Sequence, residues 1–411
     1  MAPEQDGTLQ FIDQVLLSKF EAPTSYTGED LVEIGCHGSI YLANKIVEVF
    51  ILTGARMAEP GEFTKRAFLN GKMDLIQAEA VADLIQSQTA QSQKIAASLL
   101  TGKLSERLQS LKNQLLQTCA MLEVELDFSE EDIELISRDE LEGQIQTLVE
   151  EVESLLTSYK TGKILREGAT IVIAGSPNVG KSSILNHLLQ EDRAIVSELP
   201  GTTRDHLEEK LDIGGYLFRV IDTAGLRNPT DPVEIEGVQR SLHLITQADI
   251  LLIVIDTFTG LRRDETDQIS GLIEQARKAD QNLILVLNKI DLLESSKAFQ
   301  LPPIFQDINQ VYVSAQTGQG FRELEQQLIS CCHMSTREDN SVMITRTRHR
   351  DLLRLVKTDL EQTQESLRHR FTSEFISLDL RSAMNRLGEL TGEVTNQDIL
   401  NHIFNHFCIG K

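Results

Sequence analysis

The chain has 411 residues, room for two to four domains at roughly 100 to 200 residues each. Lys+Arg 39 against Asp+Glu 62 leaves a formal net charge of −23, which excludes coating a nucleic acid by bulk charge, and no apolar run reaches the ~18 residues of a membrane helix. Charged residues at 25%, hydrophobic ones at 41% and nine prolines make an ordinary folded composition, so collagen-like, mucin-like and prion-like classes are out.

Five cysteines, at positions 36, 119, 331, 332 and 408, are odd in number and lack CxxC or Cys/His pairing at zinc spacing, which fits a reduced, cytoplasmic compartment. The opening residues carry neither a basic and apolar leader nor an Arg/Ser-rich, acid-poor transit face. Cys408 stands fourth from the end, where a prenylation box would place it, but Gly410, Lys411 and the absence of a preceding polybasic stretch argue against lipidation and against a membrane role.

Residues 1–71 mix short apolar runs with Gly/Pro punctuation and predict a small α+β unit. Residues 72–165 carry apolar positions at helical spacing, as in Ala80, Leu84, Ile85 and then Leu104, Leu108, Leu111, Leu115, and predict long packed helices. Between 123 and 153 thirteen acidic side chains face one basic one, Arg138, which reads as a solvated helix face. Residues 166–335 alternate apolar β-branched runs with helical stretches: Thr170 to Ala174, Tyr216 to Ile221, Ile250 to Ile255, Leu283 to Leu287 and Val311 to Val313 predict a parallel sheet with helices on both faces. Residues 336–411 are helical again, with Leu352, Leu353, Val356, Leu360, Leu378, Leu380 and Leu387 as apolar positions. This predicts one helical domain interrupted by an α/β domain. Residues 337–411 are net neutral, so Arg346, Arg348, Arg350 and Arg354 are the first candidates for any polyanion contact; pairing with Asp351, Asp359 and Glu361 is the plainer reading.

Gly175-Ser176-Pro177-Asn178-Val179-Gly180-Lys181-Ser182 matches GxxxxGK[ST] directly after a predicted strand and before the helical text from Ser183 onward, the context a phosphate-binding loop requires. Loop amides and the helix N-terminus would cradle phosphates, Lys181 would neutralise β/γ oxygens and Ser182 would ligate Mg²⁺. Three further strings follow in the order of a nucleotide switch. Gly201-Thr202-Thr203 offers a hydroxyl, Thr203, that reaches Mg²⁺ only when a γ-phosphate is present. Asp222-Thr223-Ala224-Gly225 puts Asp222 near the metal through water and the Gly225 amide near the γ-phosphate. Asn288-Lys289-Ile290-Asp291 ends a strand at the ligand-binding edge of the sheet. There Asp291 can accept from N1–H and the exocyclic amine of guanine, a donor pair adenine lacks, so the tetrapeptide argues for GTP over ATP. Ser314-Ala315 would close over the base. The residue after Gly225 is Leu226, so the water-orienting glutamine of Ras-like switches has no counterpart.

With these loops in place, the split helical pattern and the ending Phe407-Cys408-Ile409-Gly410-Lys411 give the chain a resemblance to the tRNA-modifying GTPase family MnmE (TrmE) over nearly its whole length. The resemblance implies a Ras-like P-loop GTPase domain inserted in an all-α domain, behind a small folate-binding, dimerising N-terminal domain. It implies a K⁺ site from Asn178, the main-chain oxygens of Ser197 and Leu199, and Thr202, with Glu198, Pro200 and Gly201 in the same nucleotide loop. That cation would act where an arginine finger otherwise would. It implies that Glu234 orients the hydrolytic water and that Cys408 is required for modification; read alone, Glu234 is a loop glutamate and Cys408 a small apolar residue. It implies folate contacts from Glu33, Lys72 and Lys411, of which Glu33 and Lys72 read alone are exposed or ion-paired charges. It further implies a homodimer whose GTPase domains meet in the GTP state. An FAD-containing MnmG (GidA) partner would complete a heterotetramer, and together they would add a (carboxymethyl)aminomethyl group at C5 of the wobble uridine of tRNA, using a tetrahydrofolate derivative.

Family members begin with a strand-rich segment containing a Gly-rich stretch and a folate-contacting arginine, whereas Met1 here falls just before Phe11 to Leu16; the expectation is a truncated gene model with an incomplete folate pocket and dimer interface. Two other classes share the nucleotide loops: a ribosome-assembly or translation-type GTPase, and a GTP-dependent partner-binding module without modification activity.

Overall fold

The structure, a computed structural model, describes residues 2–3, 9–127, 137–190, 208–222, 248–293, 301–333, 342–394, 397–405, 407 and 410. The chain divides into two compact units, one of residues 1–86, 97–153 and 348–411, the other of residues 87–96 and 154–347.

The first unit opens with short antiparallel ladders, β1 (Ala2–Pro3) with β2 (Leu9–Gln10) and β3 (Leu16–Phe20) with β4 (Leu31–Gly35). Helices α1 (Ile40–Leu52), α2 (Glu62–Leu69) and α3 (Leu75–Gln86) follow. After α4 (Ala90–Leu100), α5 (Lys103–Asp127) buries Leu104, Leu108, Leu111 and Leu115 as the spacing predicted, and the acidic stretch runs into α6 (Arg138–Glu167). The returning chain adds α10 (Thr347–Arg368), α11 (Ser373–Thr391) and α12 (Gln397–Phe404). Leu353, Val356 and Leu360 on α10 and Leu380 and Leu387 on α11 are buried as expected; Ile85 and Leu378 are exposed. Leu75, Ala78 and Ala82 of α3 pack against Leu400, Phe404 and Phe407, which seats the tail beside the second and third helices.

A buried ion cluster ties this unit together. Glu79 on α3 takes Arg348 Nε at 3.1 Å and His349 Nε2 at 2.7 Å, and Arg348 also donates to the carbonyls of Glu389 and Leu390 at the end of α11. Arg348 is therefore an internal strut; of the acids expected to pair with these arginines, Asp351 does hold Arg350, whereas Asp359 holds Arg386 and Glu361 holds Lys357.

The second unit is a six-stranded sheet in the order β10-β9-β8-β5-β7-β6, formed by β5 (Ala169–Ala174), β6 (Glu208–Ile213), β7 (Tyr216–Asp222), β8 (Ile250–Asp256), β9 (Asn282–Asn288) and β10 (Asn309–Tyr312). Every pairing is parallel except β6 with β7. Strand β6 escaped the sequence reading because only Leu211 and Ile213 of its six residues are apolar core, the alternation of an edge strand. The central strands β5 and β8 are buried at every residue, as a sheet covered on both faces demands. Alternate residues feed two cores: Ile171, Ile173, Leu252 and Val254 meet α7 (Lys181–Gln190) and α9 (Phe321–His333), while Val172, Leu251 and Ile253 meet α8 (Arg263–Lys278). The chain leaves β5 toward β7 and returns on the other side to β8, so the carboxyl ends of β5 and β8 flank a topological switch point.

Gly162 on α6 lets the segment leaving this unit press onto the helix, where a Cβ would stand 2.3 Å from Ile344 O. The Ile344 amide donates to Ser158 Oγ at 3.2 Å one turn earlier. Replacing Gly162 by Ala gains about 1 kcal/mol of helix propensity but forces apart two backbones, at a cost of about 1–3 kcal/mol or more. Gly162→Ala should therefore lower unfolding free energy in urea; a more stable variant would show that the strap is not held there.

Candidate functional site

The loop from Gly175 to Gly180 joins the end of β5 to the start of α7, and its shape is set by contacts that tolerate no side chain at two positions. Gly175, at φ 145°, would place a Cβ 2.4 Å from Val254 O, and Gly180, at φ 100°, would place one 2.2 Å from Asn288 Nδ2. Asn178 holds a left-handed φ of 64° on the exposed crest between them. Lys181 is 7% exposed and donates from Nζ to the carbonyls of Gly175 and Ser176, both at 2.7 Å, which keeps the ammonium over the loop's own start. Ser182 and Ser183 stand exposed in the first turn of α7, where free helical amides favour an anion and a hydroxyl can meet its counter-cation.

Asn288, the last residue of β9, is 1% exposed and binds two other loops. Its Nδ2 donates to Val179 O at 2.9 Å and its Oδ1 accepts from the Ala315 amide at 3.1 Å. Asp291 lies exposed in the 3-10 turn that follows, with Oδ1 accepting from Ser314 Oγ at 2.6 Å, and Ser314 Oγ in turn accepts the Thr317 amide at 3.2 Å. Together Gly180, Ser183, Asn288, Lys289, Asp291 and Ala315 line a cavity of about 330 Å³ beside the phosphate loop. Its lining sets the Asp291 carboxylate, held by one hydroxyl, beside the first turn of α7, while the Ala315 amide is spent on Asn288 Oδ1.

The structure thus brings Asn178, Val179, Gly180, Lys181, Ser182, Ser183, Asn288, Lys289, Asp291, Ser314 and Ala315 to one edge. Asp222 ends β7, opposite Ile173 across the parallel ladder, which puts it at the same carboxyl edge. Ser197, Glu198, Leu199, Pro200, Gly201, Thr202, Thr203, Thr223, Ala224, Gly225, Glu234, Cys408 and Lys411 lie outside the described residues. Among those described, no three His, Cys, Asp or Glu side chains are placed to hold a metal ion.

The sequence reading missed Asp256, which ends β8 beside this cavity with its carboxylate 2.7 Å from Lys289 Nζ. The available signal was an acid terminating an otherwise apolar run. In the first unit, Glu33 is exposed on β4 and Lys72 donates to Pro23 O at 2.8 Å; neither lines a cavity of about 260 Å³ there whose charged walls are Glu29, Asp30, Arg56, Glu62 and Arg66.

Comparison with known proteins agrees with this geometry. The model for the MnmE helical domain matches residues 75–408, and that for the GTP-binding protein TrmE N-terminus matches residues 2–72. The tRNA modification GTPase MnmE of Bacteroides fragilis is 42% identical over 409 residues, covering 98% of this chain and 87% of its own. That of Chlorobium chlorochromatii is 42% identical over 403 residues, with 97% and 85% covered, and that of Acetivibrio thermocellus 40% identical over 412, with 100% and 87% covered. A helical-domain model that matches residues 75–408 and relatives 42% identical over nearly the whole chain place it in the tRNA modification GTPase MnmE family.

Proposed function

We propose that this chain binds GTP in the slot between Gly180 and Ala315, hydrolyses it with the aid of K⁺, and uses the cycle to drive a modification of the tRNA wobble uridine. The family supplies the coarse statement, a GTP-hydrolysing enzyme of tRNA modification. The observation that carries the nucleotide reading is the Asn288 bridge, which locks the phosphate loop and the Ala315 turn around Asp291.

In this reading the Asp291 carboxylate accepts from N1–H and the amine of guanine, and the amides of α7 with Lys181 take the phosphates. Ser182 and Thr203 hold Mg²⁺, which spreads charge from the β and γ oxygens when bound. Asn178, Ser197, Leu199 and Thr202 hold K⁺, which supplies positive charge at the transferring phosphate. The exposed Asn178 amide and the oxygen-only donor set suit a weakly hydrated monovalent cation. Glu234 orients the attacking water.

A homodimer is supported by the apolar surface of the first unit, where Leu16, Ile40, Tyr41 and Leu52 are each at least 70% exposed. We assign the modification step, addition of a (carboxymethyl)aminomethyl group at C5, to a complex with an FAD-containing MnmG protein. In that complex a tetrahydrofolate derivative contacts Glu33, Lys72 and Lys411, and Cys408 is required. No helix among the described residues is long and apolar enough to cross a membrane, and we place the reaction in the cytoplasm.

Two measurements test this. The initial GTP hydrolysis rate in K⁺ against Na⁺ at matched ionic strength should favour K⁺ by about ten-fold or more, and Asn178→Ala should erase the preference; equal rates in both salts would sink the cation-assisted reading. Asp291→Asn should lower GTP hydrolysis at fixed substrate by about 100-fold or more and permit xanthosine triphosphate, which carries a carbonyl where guanine has its amine. Undiminished GTP use by that variant would move the base to another slot.

A further inference from the structure

Asp256 closes β8 with its side chain 6% exposed, and all of its carboxylate contacts converge on one neighbouring loop and its own turn. Oδ1 accepts the amides of Phe258 at 2.9 Å and Thr259 at 3.3 Å, which fixes the carboxyl plane to the turn leaving the strand. Oδ2 accepts Lys289 Nζ at 2.7 Å. Beside it, Thr257 donates both its amide, at 3.0 Å, and its hydroxyl, at 2.8 Å, to the carbonyl of Asn288. The exits of β8 and β9, whose final residues Asp256 and Asn288 face each other in the parallel register, are therefore stitched together directly behind the nucleobase slot.

Lys289 has a left-handed φ of 69° and is the partition between two cavities. It lines the slot with Asp291 and Ala315, and also a cavity of about 340 Å³ with Asp256, Ser176 and Asn178. Its ammonium is held on the Asp256 side. Burial acts to raise the Asp256 carboxyl, but the Lys289 ammonium and the two turn amides outweigh it and hold the group below the usual carboxylate range, so the pair is ionic at neutral pH. A four-carbon ammonium side chain has many rotamers, so an unpinned Lys289 samples many positions. The next carboxylate along the chain is Asp291, two residues on, and an ammonium bonded there would occupy the acceptor that guanine needs.

We infer that Asp256 is a positioning residue of the nucleotide site, acting through Lys289: it draws the ammonium away from Asp291 and leaves the apolar stem of the lysine as the wall against which the base packs. This rests on the reading of the slot as a guanine site. Asp256 does not touch the nucleotide, and its effect falls on binding and base selection.

The test is a double-mutant cycle on the full chain, reading equilibrium binding of fluorescent N-methylanthraniloyl-GDP together with KM and kcat for GTP. Asp256→Asn keeps the acceptor oxygen for the turn and removes the charge; it should weaken GDP binding and raise KM by about ten-fold with kcat moving less than about two-fold. Asp256→Glu should recover most of the loss. In the Lys289→Met background, which keeps an apolar stem, Asp256→Asn should change binding by less than about two-fold. The same ten-fold loss in both backgrounds, or none in the parent, would overturn the inference while leaving the guanine site standing. A parent chain that binds no guanine nucleotide would overturn the site reading and this one with it.

Discussion

A single buried side-chain amide, that of Asn288, holds the nucleotide edge in one shape. It spends both its donor and its acceptor on backbone of two other loops, Val179 O and the Ala315 amide, and it is 1% exposed. Losing it would leave the Val179 carbonyl without this donor in the interior, at a cost of about 1–3 kcal/mol, and release the half-buried Ala315 amide as well. The contact also dictates its neighbours. Gly180 must be glycine because a Cβ would run into the Asn288 amide, and Lys289 leaves the strand in a left-handed turn that sends its side chain back toward β8. The loop before α7, the cavity lined by Asp291 and Ala315, and the Asp256–Lys289 pair thus all hang on one strand end, and a change at Asn288 reaches all three.

The sheet explains why that strand end lies where chemistry can happen. Four parallel strands, β5, β8, β9 and β10, lie side by side with β5 and β8 fully buried, so their termini have no freedom to spread. The reversal of direction at β5 opens a crevice at the carboxyl ends, and the positive start of α7 points into it. Hydrophobic burial fixes the scaffold, and the polar contacts at the edge only need to select among loop conformations already confined by it. A switch needs this division between a rigid floor and selectable loops.

Much of this was legible in the residues. The apolar runs located β5, β7, β8 and β9 to within a residue at each end, because strands covered on both faces cannot hide their composition. For β10 the reading stopped at Val313, one residue past the observed strand, although the Val313 amide still donates to Leu287 O at 2.9 Å. Strand β6 was invisible because Glu208, Glu209 and Lys210 read as a loop and its two core residues alternate with polar ones. The role of Asp256 was illegible for a different reason. Its partner lies 33 positions away, and only the parallel register of β8 with β9 brings the two together.

The arginines of the last helices carry the same lesson into the other unit. A net-neutral tail in a chain of charge −23 invites the thought of a polyanion surface, yet Arg348 is committed to Glu79, His349 and two helix-end carbonyls. Glu79 is 2% exposed, and a carboxylate that deep needs a cation bonded to it. Removing that cation would cost about 3–5 kcal/mol, several times what a solvent-exposed ion pair contributes. Arg348 is therefore held by the fold before any ligand can use it. The cluster joins α3, which precedes the nucleotide unit in sequence, to α10 and α11, which follow it, so the two halves of the divided helical unit are cross-linked by charge across the point where the nucleotide unit is inserted.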